Sequence, residues 1–169
     1  MVNVHRQPDA RFNVLLTQDR WRAPQQWTQQ FPRLLEPQGV VSYTARSGRE
    51  AMEITGRVEI HAAVLDVGTP LEDGEDQPQR SSGPEDAGLW LSELFRRLPG
   101  HPPIIIVHSA TYSQRVLERM MHEALRLGAF SVLSKPVELE RLLAVFQRLM
   151  DREYRGAWPA RRGPQAEQD

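Results

Sequence analysis

The chain has 169 residues, 40% of them hydrophobic and 25% charged, with a net charge of -1, the make-up of one globular domain with a substantial core. So small a net charge supplies no field for nucleic acid or an anionic membrane, and no apolar run approaches the ~18 residues that span a bilayer. There is no cysteine, which removes disulfides and thiolate zinc sites, and the polar stretch 1–12 lacks a signal-peptide core, so the expected location is cytoplasmic.

In chain order, residues 1–11 read as a flexible arm. Phe12, Asn13, Val14, Leu15, Leu16 and Thr17 form a β-type run closed by polar Gln18 and Asp19. A helix follows from about Pro24 to about Glu36, in which Pro32 predicts a kink or a late start. Residues 40–44 read as a second strand and 47–53 as a short helix. Ala62, Ala63, Val64 and Leu65 make a continuous apolar run ending at Asp66, the pattern of a strand buried on both faces. The polar stretch 71–86 reads as a long loop.

Residues 88–98 form an amphipathic helix, and 104–107 a second doubly buried strand behind Pro102 and Pro103. Helical spacing over 113–127 puts Val116, Met120, Ala124 and Leu127 on one stripe, with Gly128 as the cap. Residues 130–133 are a fifth strand, followed by Ser134, Lys135 and Pro136. The last helix spans 137–153, with Leu139, Leu142, Leu143, Val145, Phe146 and Met150 as its apolar residues. Trp27 and Trp90 read as core residues of their helices, and 154–169 as a disordered tail. Strand and helix alternate five times. That order predicts a single α/β domain over 12–153, a doubly wound five-stranded parallel sheet with helices on both faces.

Ligands of an open parallel sheet bind beyond the C-terminal ends of its strands. That rule collects Gln18 and Asp19 from the first strand, and Asp66, Gly68 and Thr69 from the third. The fourth adds His108 and Ser109, and the fifth Lys135. Asp19 and Asp66 offer hard oxygen ligands suited to Mg²⁺. A carboxylate can also be the nucleophile that accepts a phosphoryl group, with a metal and an ammonium offsetting charge on the transferring oxygens. A hydroxyl at the fourth strand could then bond the bound phosphoryl group. Lys135 is the single lysine beside twenty arginines. A compact point charge on a thin stem does work that a planar guanidinium cannot.

These residues resemble the receiver domain of two-component response regulators, a flavodoxin-like fold. The matching pieces are residues 14–19, 47–51, 63–70 and 128–136, in the family's order, within roughly 12–150. The strand–Asp–x–x–x–Pro piece around Asp66 and the Gly-Ala-(x)5-Lys-Pro piece ending at Pro136 are specific together. The resemblance implies that Asp66 is the phosphoacceptor, charged from a phosphohistidine on a sensor kinase or phosphotransfer protein. It implies that Asp19, Asp66 and the backbone carbonyl of Gly68 hold Mg²⁺, and that Lys135 contacts the phosphoryl group. A downstream protein target, and a monomer or weak homodimer, are the implied partners.

The chain departs from the family at several places. Gln18 stands where the first of two acidic residues is usual, which weakens the Mg²⁺ site. Either His108 or Ser109 occupies the position of the switch hydroxyl. Val132 stands where an aromatic ring is usual, and alternation would put Phe130 on the same face as Val132. The 71–86 loop is extra and acidic, and the helix after Ser109 is about one turn longer than is usual in the family. A second reading follows: a pseudo-receiver that binds partners, without phosphorylation, through its fourth helix, fifth strand and fifth helix.

Other classes fit less well. A haloacid-dehalogenase-type phosphatase needs a second Asp two residues after the first, where Gly68 stands. The histidines His5, His61, His101, His108 and His122 show no metal-ligand spacing. Nothing after Arg155 could form a helix-turn-helix, so no nucleic-acid output is expected.

Overall fold

A computed structural model describes residues 11–19, 26–71, 85–109 and 113–154. The arm, the body of the polar loop and the tail expected from the sequence lie outside the described residues. The elements are β1 (Phe12–Thr17), α1 (Gln26–Leu35), β2 (Val40–Ala45), α2 (Gly48–Arg57), β3 (Ala62–Asp66), α3 (Glu85–Arg97), β4 (Ile104–His108), α4 (Gln114–Arg126), β5 (Ser131–Ser134) and α5 (Leu139–Glu153), with a 3₁₀ turn over Glu36–Gln38. All strand pairs are parallel, and the sheet order is β2-β1-β3-β4-β5. The expected doubly wound five-stranded sheet is therefore present. The order reverses between β1 and β3, so their C-terminal ends flank the crevice where such sheets bind ligands.

The apolar runs explain the layering. β3 and β4 are buried at every position, because both of their faces are covered. On one face Val14, Leu16, Val64 and Val107 pack against Trp27 and Phe31 of α1 and Phe146 and Leu149 of α5. On the other, Leu15, Leu65 and Ile106 pack against Ala51, Leu91, Phe95, Met120 and Ala124 of α2, α3 and α4. Local signals set the helix ends. The Ser47 hydroxyl accepts the Glu50 N–H while Glu50 accepts the Arg46 N–H, a reciprocal cap. Gly128, at φ 73°, ends α4 in the left-handed conformation that glycine adopts without strain.

Three local expectations are corrected. Trp90 is 42% exposed, whereas Trp27 is buried. Leu91 and Phe95, four residues apart, take the inward face of α3, and the Trp90 ring lies instead over the backbone of Gly48 at the start of α2. Phe130 does not share a face with Val132. Phe130 is a bend before β5, so strand alternation does not reach it. Its ring packs on the α1/α5 side, beneath the Arg152 guanidinium at 5.9 Å, while Val132 packs toward α2, α3 and α4. α2 continues to Arg57, a turn beyond the expected helix, because Ile54 still reaches the core.

The edge opposite the crevice is pinned by His61. Its Nδ1 accepts the Asn13 N–H at 2.8 Å, its own N–H donates to the Asn13 carbonyl, and the Tyr154 hydroxyl donates to its carbonyl oxygen. An imidazolium cannot accept at Nδ1, and burial holds the ring's pKa below its ordinary 6.5, partly offset by Glu59. The unfolded chain therefore takes up a proton near its ordinary pKa that the folded chain refuses. Stability from this group is full above that value and falls as the pH drops below it. Urea midpoints should fall more steeply from about pH 7 to about pH 5 in the parent protein than in His61→Gln; equal slopes would contradict this.

Candidate functional site

Three charged side chains converge at the crevice. The Lys135 ammonium, at the end of β5, lies 2.6 Å from Asp66 Oδ2 and 3.5 Å from Asp19 Oδ2. Lys135 and Asp66 are both buried, and the Lys135 N–H donates to the His108 carbonyl at 2.8 Å. The N–H of Gly68 donates to Asp66 Oδ1 at 2.9 Å, so each carboxylate oxygen of Asp66 has its own donor. Gly68 lets the Asp19 side chain stand close against the turn, and any larger residue would require that side chain to shift. A Cβ there would lie 2.7 Å from Asp19 Oδ2, closer than real Cβ contacts allow.

Burial raises the Asp66 pKa above its ordinary value, and Asp19 raises it further. The Lys135 charge and hydrogen bond, and the Gly68 N–H, pull it back. The site thus holds a carboxylate that the fold has withdrawn from water and balanced with one fixed cation.

Of the residues expected at the rim, Asp19, Asp66, Gly68 and Lys135 come together. Gln18 stands beside them, its N–H bonded to the Ala45 carbonyl at 3.1 Å. β4 ends at His108, and His108 and Ser109 are both buried. His108 Nδ1 lies 3.0 Å from the Ser109 carbonyl oxygen. A carbonyl only accepts, so Nδ1 carries the proton. Val132 faces the α2–α4 layer opposite Ile106 in the β4–β5 register.

Two further residues back the site: Thr17, which the strand-end rule did not collect, and Thr69, which it collected without a role. Thr17 Oγ1 accepts the Asp66 N–H at 2.8 Å and the Thr69 hydroxyl at 2.9 Å, with both threonines buried. The available signal was a hydroxyl residue closing an apolar strand, which reads equally as a strand-end cap.

The two carboxylates that meet here, Asp19 and Asp66, are hard oxygen donors of the kind that suit a divalent cation with much of its shell supplied by water. Among the described residues no three His, Cys, Asp or Glu side chains cluster as a metal site. Any metal here would lean on water for much of its shell.

No protein-family model matches the chain, and no curated protein matches its sequence. Solved structures do match. A CheY-like response regulator receiver domain protein from Methanospirillum hungatei is 18% identical with a TM-score of 0.63, over 87% of this chain and 99% of that one. The chemotaxis response regulator CheY4 of Vibrio cholerae is 22% identical at a TM-score of 0.58, over 82% and 98%. A response regulator of Burkholderia pseudomallei, solved with a phosphorylated aspartic acid, calcium ion and citrate, is 21% identical at 0.57, over 86% and 73%. The chain has the receiver fold.

Removing the cation should expose the electrostatic balance. Lys135→Met leaves Asp66 buried beside Asp19 without its partner, at a cost of about 3 kcal/mol at neutral pH. The cost should shrink in acid, because the Asp66 pKa, already raised, climbs further and the carboxyl takes up a proton. Chemical denaturation at the two pH values reads this, and a pH-independent cost would contradict it.

Proposed function

We propose that this protein is a response-regulator-type signalling domain in which Asp66 accepts a phosphoryl group from a phosphohistidine of a sensor histidine kinase or phosphotransfer protein. The observation that carries the reading is the buried Asp66 carboxylate, with the lone lysine's ammonium 2.6 Å away, at the crevice where the strand order reverses. The regulator of Burkholderia pseudomallei, which shares this fold, carries a phosphorylated aspartic acid.

An Asp66 carboxylate oxygen attacks phosphorus in line with the P–N bond. That bond breaks, the imidazole leaves with the electron pair and recovers a proton from solvent, and an acyl phosphate remains. Lys135 meets the charge carried onto the Asp66 side and the phosphoryl oxygens. Mg²⁺, when held by Asp19, Asp66 and the Gly68 carbonyl, supplies further charge neutralisation. Gln18 brings no charge to that set and leaves it weaker.

Ser109 is the proposed switch hydroxyl. Ile105 and Val107 face the α1/α5 layer together with Val64 and Leu133. Ser109 carries the hydroxyl of the His108–Ser109 pair at the end of β4, and it is buried. Val132 has no ring to move in response, so output runs by a different packing change toward a downstream protein target. Signalling is by protein contact in the cytoplasm, as a monomer or weak homodimer. No described helix is long and apolar enough to cross a membrane.

One observation favours a second reading, a phosphorylation-independent pseudo-receiver: Lys135 bridges both carboxylates, so part of the pair's charge is offset without a divalent ion. The two readings separate on one assay. Acetyl phosphate with millimolar Mg²⁺ should add one phosphoryl group by intact mass, and Asp66→Asn should abolish it. No adduct on the parent protein would favour the pseudo-receiver, and an adduct surviving Asp66→Asn would remove Asp66 from its role.

A further inference from the structure

We propose that Thr17 and Thr69 are positioning residues for Asp66, forming a buried hydroxyl pair that holds the main chain of the phosphoacceptor and the turn after it. The inference rests on the phosphoacceptor reading and adds to it two residues outside the charged set.

The β1–β3 pairing runs as far as Leu16 opposite Val64. Two residues on, the Asp66 amide finds a side chain, Thr17 Oγ1, at 2.8 Å. The Thr69 hydroxyl donates to that same oxygen at 2.9 Å, and the Thr69 N–H returns to the Asp66 carbonyl at 3.1 Å. Both main-chain polar groups of Asp66 are thus tied into one ring through residues 17 and 69. Thr17 and Thr69 are 0% and 1% exposed, so water cannot replace a lost partner.

The turn is also held at its far end. The N–H groups of Gly48 and Arg49, at the start of α2, donate to the carbonyls of Pro70 and Leu71 at 2.8 and 3.0 Å. Between these anchors lies Gly68, whose N–H orients Asp66 Oδ1 and whose carbonyl belongs to the proposed metal set. The two threonines therefore set where the Asp66 carboxylate and the Gly68 backbone stand relative to Asp19 and Lys135. They touch none of the reacting atoms and act through Asp66.

Thr17→Val keeps the side-chain shape and removes the acceptor, leaving the Asp66 N–H and the Thr69 hydroxyl without a partner. Thr17→Ser restores the oxygen. With both variants shown folded by thermal melts, the initial rate of acetyl phosphate labelling at saturating Mg²⁺ should fall about 10- to 100-fold in Thr17→Val. It should return close to the parent rate in Thr17→Ser. A parent-like rate in Thr17→Val, or no rescue by serine, would overturn the proposal while leaving the phosphoacceptor reading intact.

If the parent protein takes no phosphoryl group, the phosphoacceptor reading fails by itself, and positioning is read from the ¹³C NMR titration of the Asp66 carboxyl. Its midpoint should move in Thr17→Val and return in Thr17→Ser, and an unmoved midpoint overturns the proposal. Should Thr17→Val not fold, Thr69→Val keeps the Asp66–Thr17 bond and should show the same effect more weakly; no effect there overturns it equally.

Discussion

The buried contact between Lys135 and Asp66 is the interaction on which the site depends. A carboxylate drawn out of water is costly, and an ammonium at 2.6 Å offsets that cost only in part, because its own desolvation must also be met. The raised Asp66 pKa expresses the remainder. A protein selected for stability alone would fill this crevice with apolar side chains. The fold instead keeps a poorly solvated carboxylate and a single fixed cation where the strands end, at the expense of stability.

The rest of the architecture places those two groups. β3 and β5 are separated by β4 in the sheet, so Lys135 reaches Asp66 across the end of β4, where its own N–H is held by the His108 carbonyl. The doubly buried runs of β3 and β4 give these ends a rigid base. On the β1 side, Thr17 replaces a strand carbonyl as the partner of the Asp66 amide, and Gly68 lets the turn pass beside the Asp19 carboxylate. Electrostatics, hydrogen bonding and close packing thus act on one short turn, anchored in turn to the start of α2.

Much of this was legible in the sequence, for identifiable reasons. Continuous apolar runs ending in polar residues located β3 and β4, and the rule that ligands bind at strand C-termini collected Asp19, Asp66 and Lys135 before any geometry was known. The lone lysine among arginines singled out Lys135. Orientation was less legible. Trp90 occupies a helical position that reads as core, but three-dimensional packing gives the inward face of α3 to Leu91 and Phe95. Phe130 was placed by alternation, and a bend ahead of β5 broke the alternation. Thr17 and Thr69 carry no pattern of their own, since a threonine that supports a buried main chain and one that meets water look alike in one dimension. His108 and Ser109 adjoin at a strand end, where a single residue of register changes which side chain faces the crevice.

Under the proposed function the phosphoryl group resides on Asp66 as an acyl phosphate. Acyl phosphates are reduced by borohydride, which converts the aspartate that carried the group to homoserine, and peptide mass spectrometry locates that change. After acetyl phosphate treatment, homoserine should appear at position 66 and at no other aspartate. Homoserine at position 19, or a phosphorylated protein with Asp66 intact, would contradict the account.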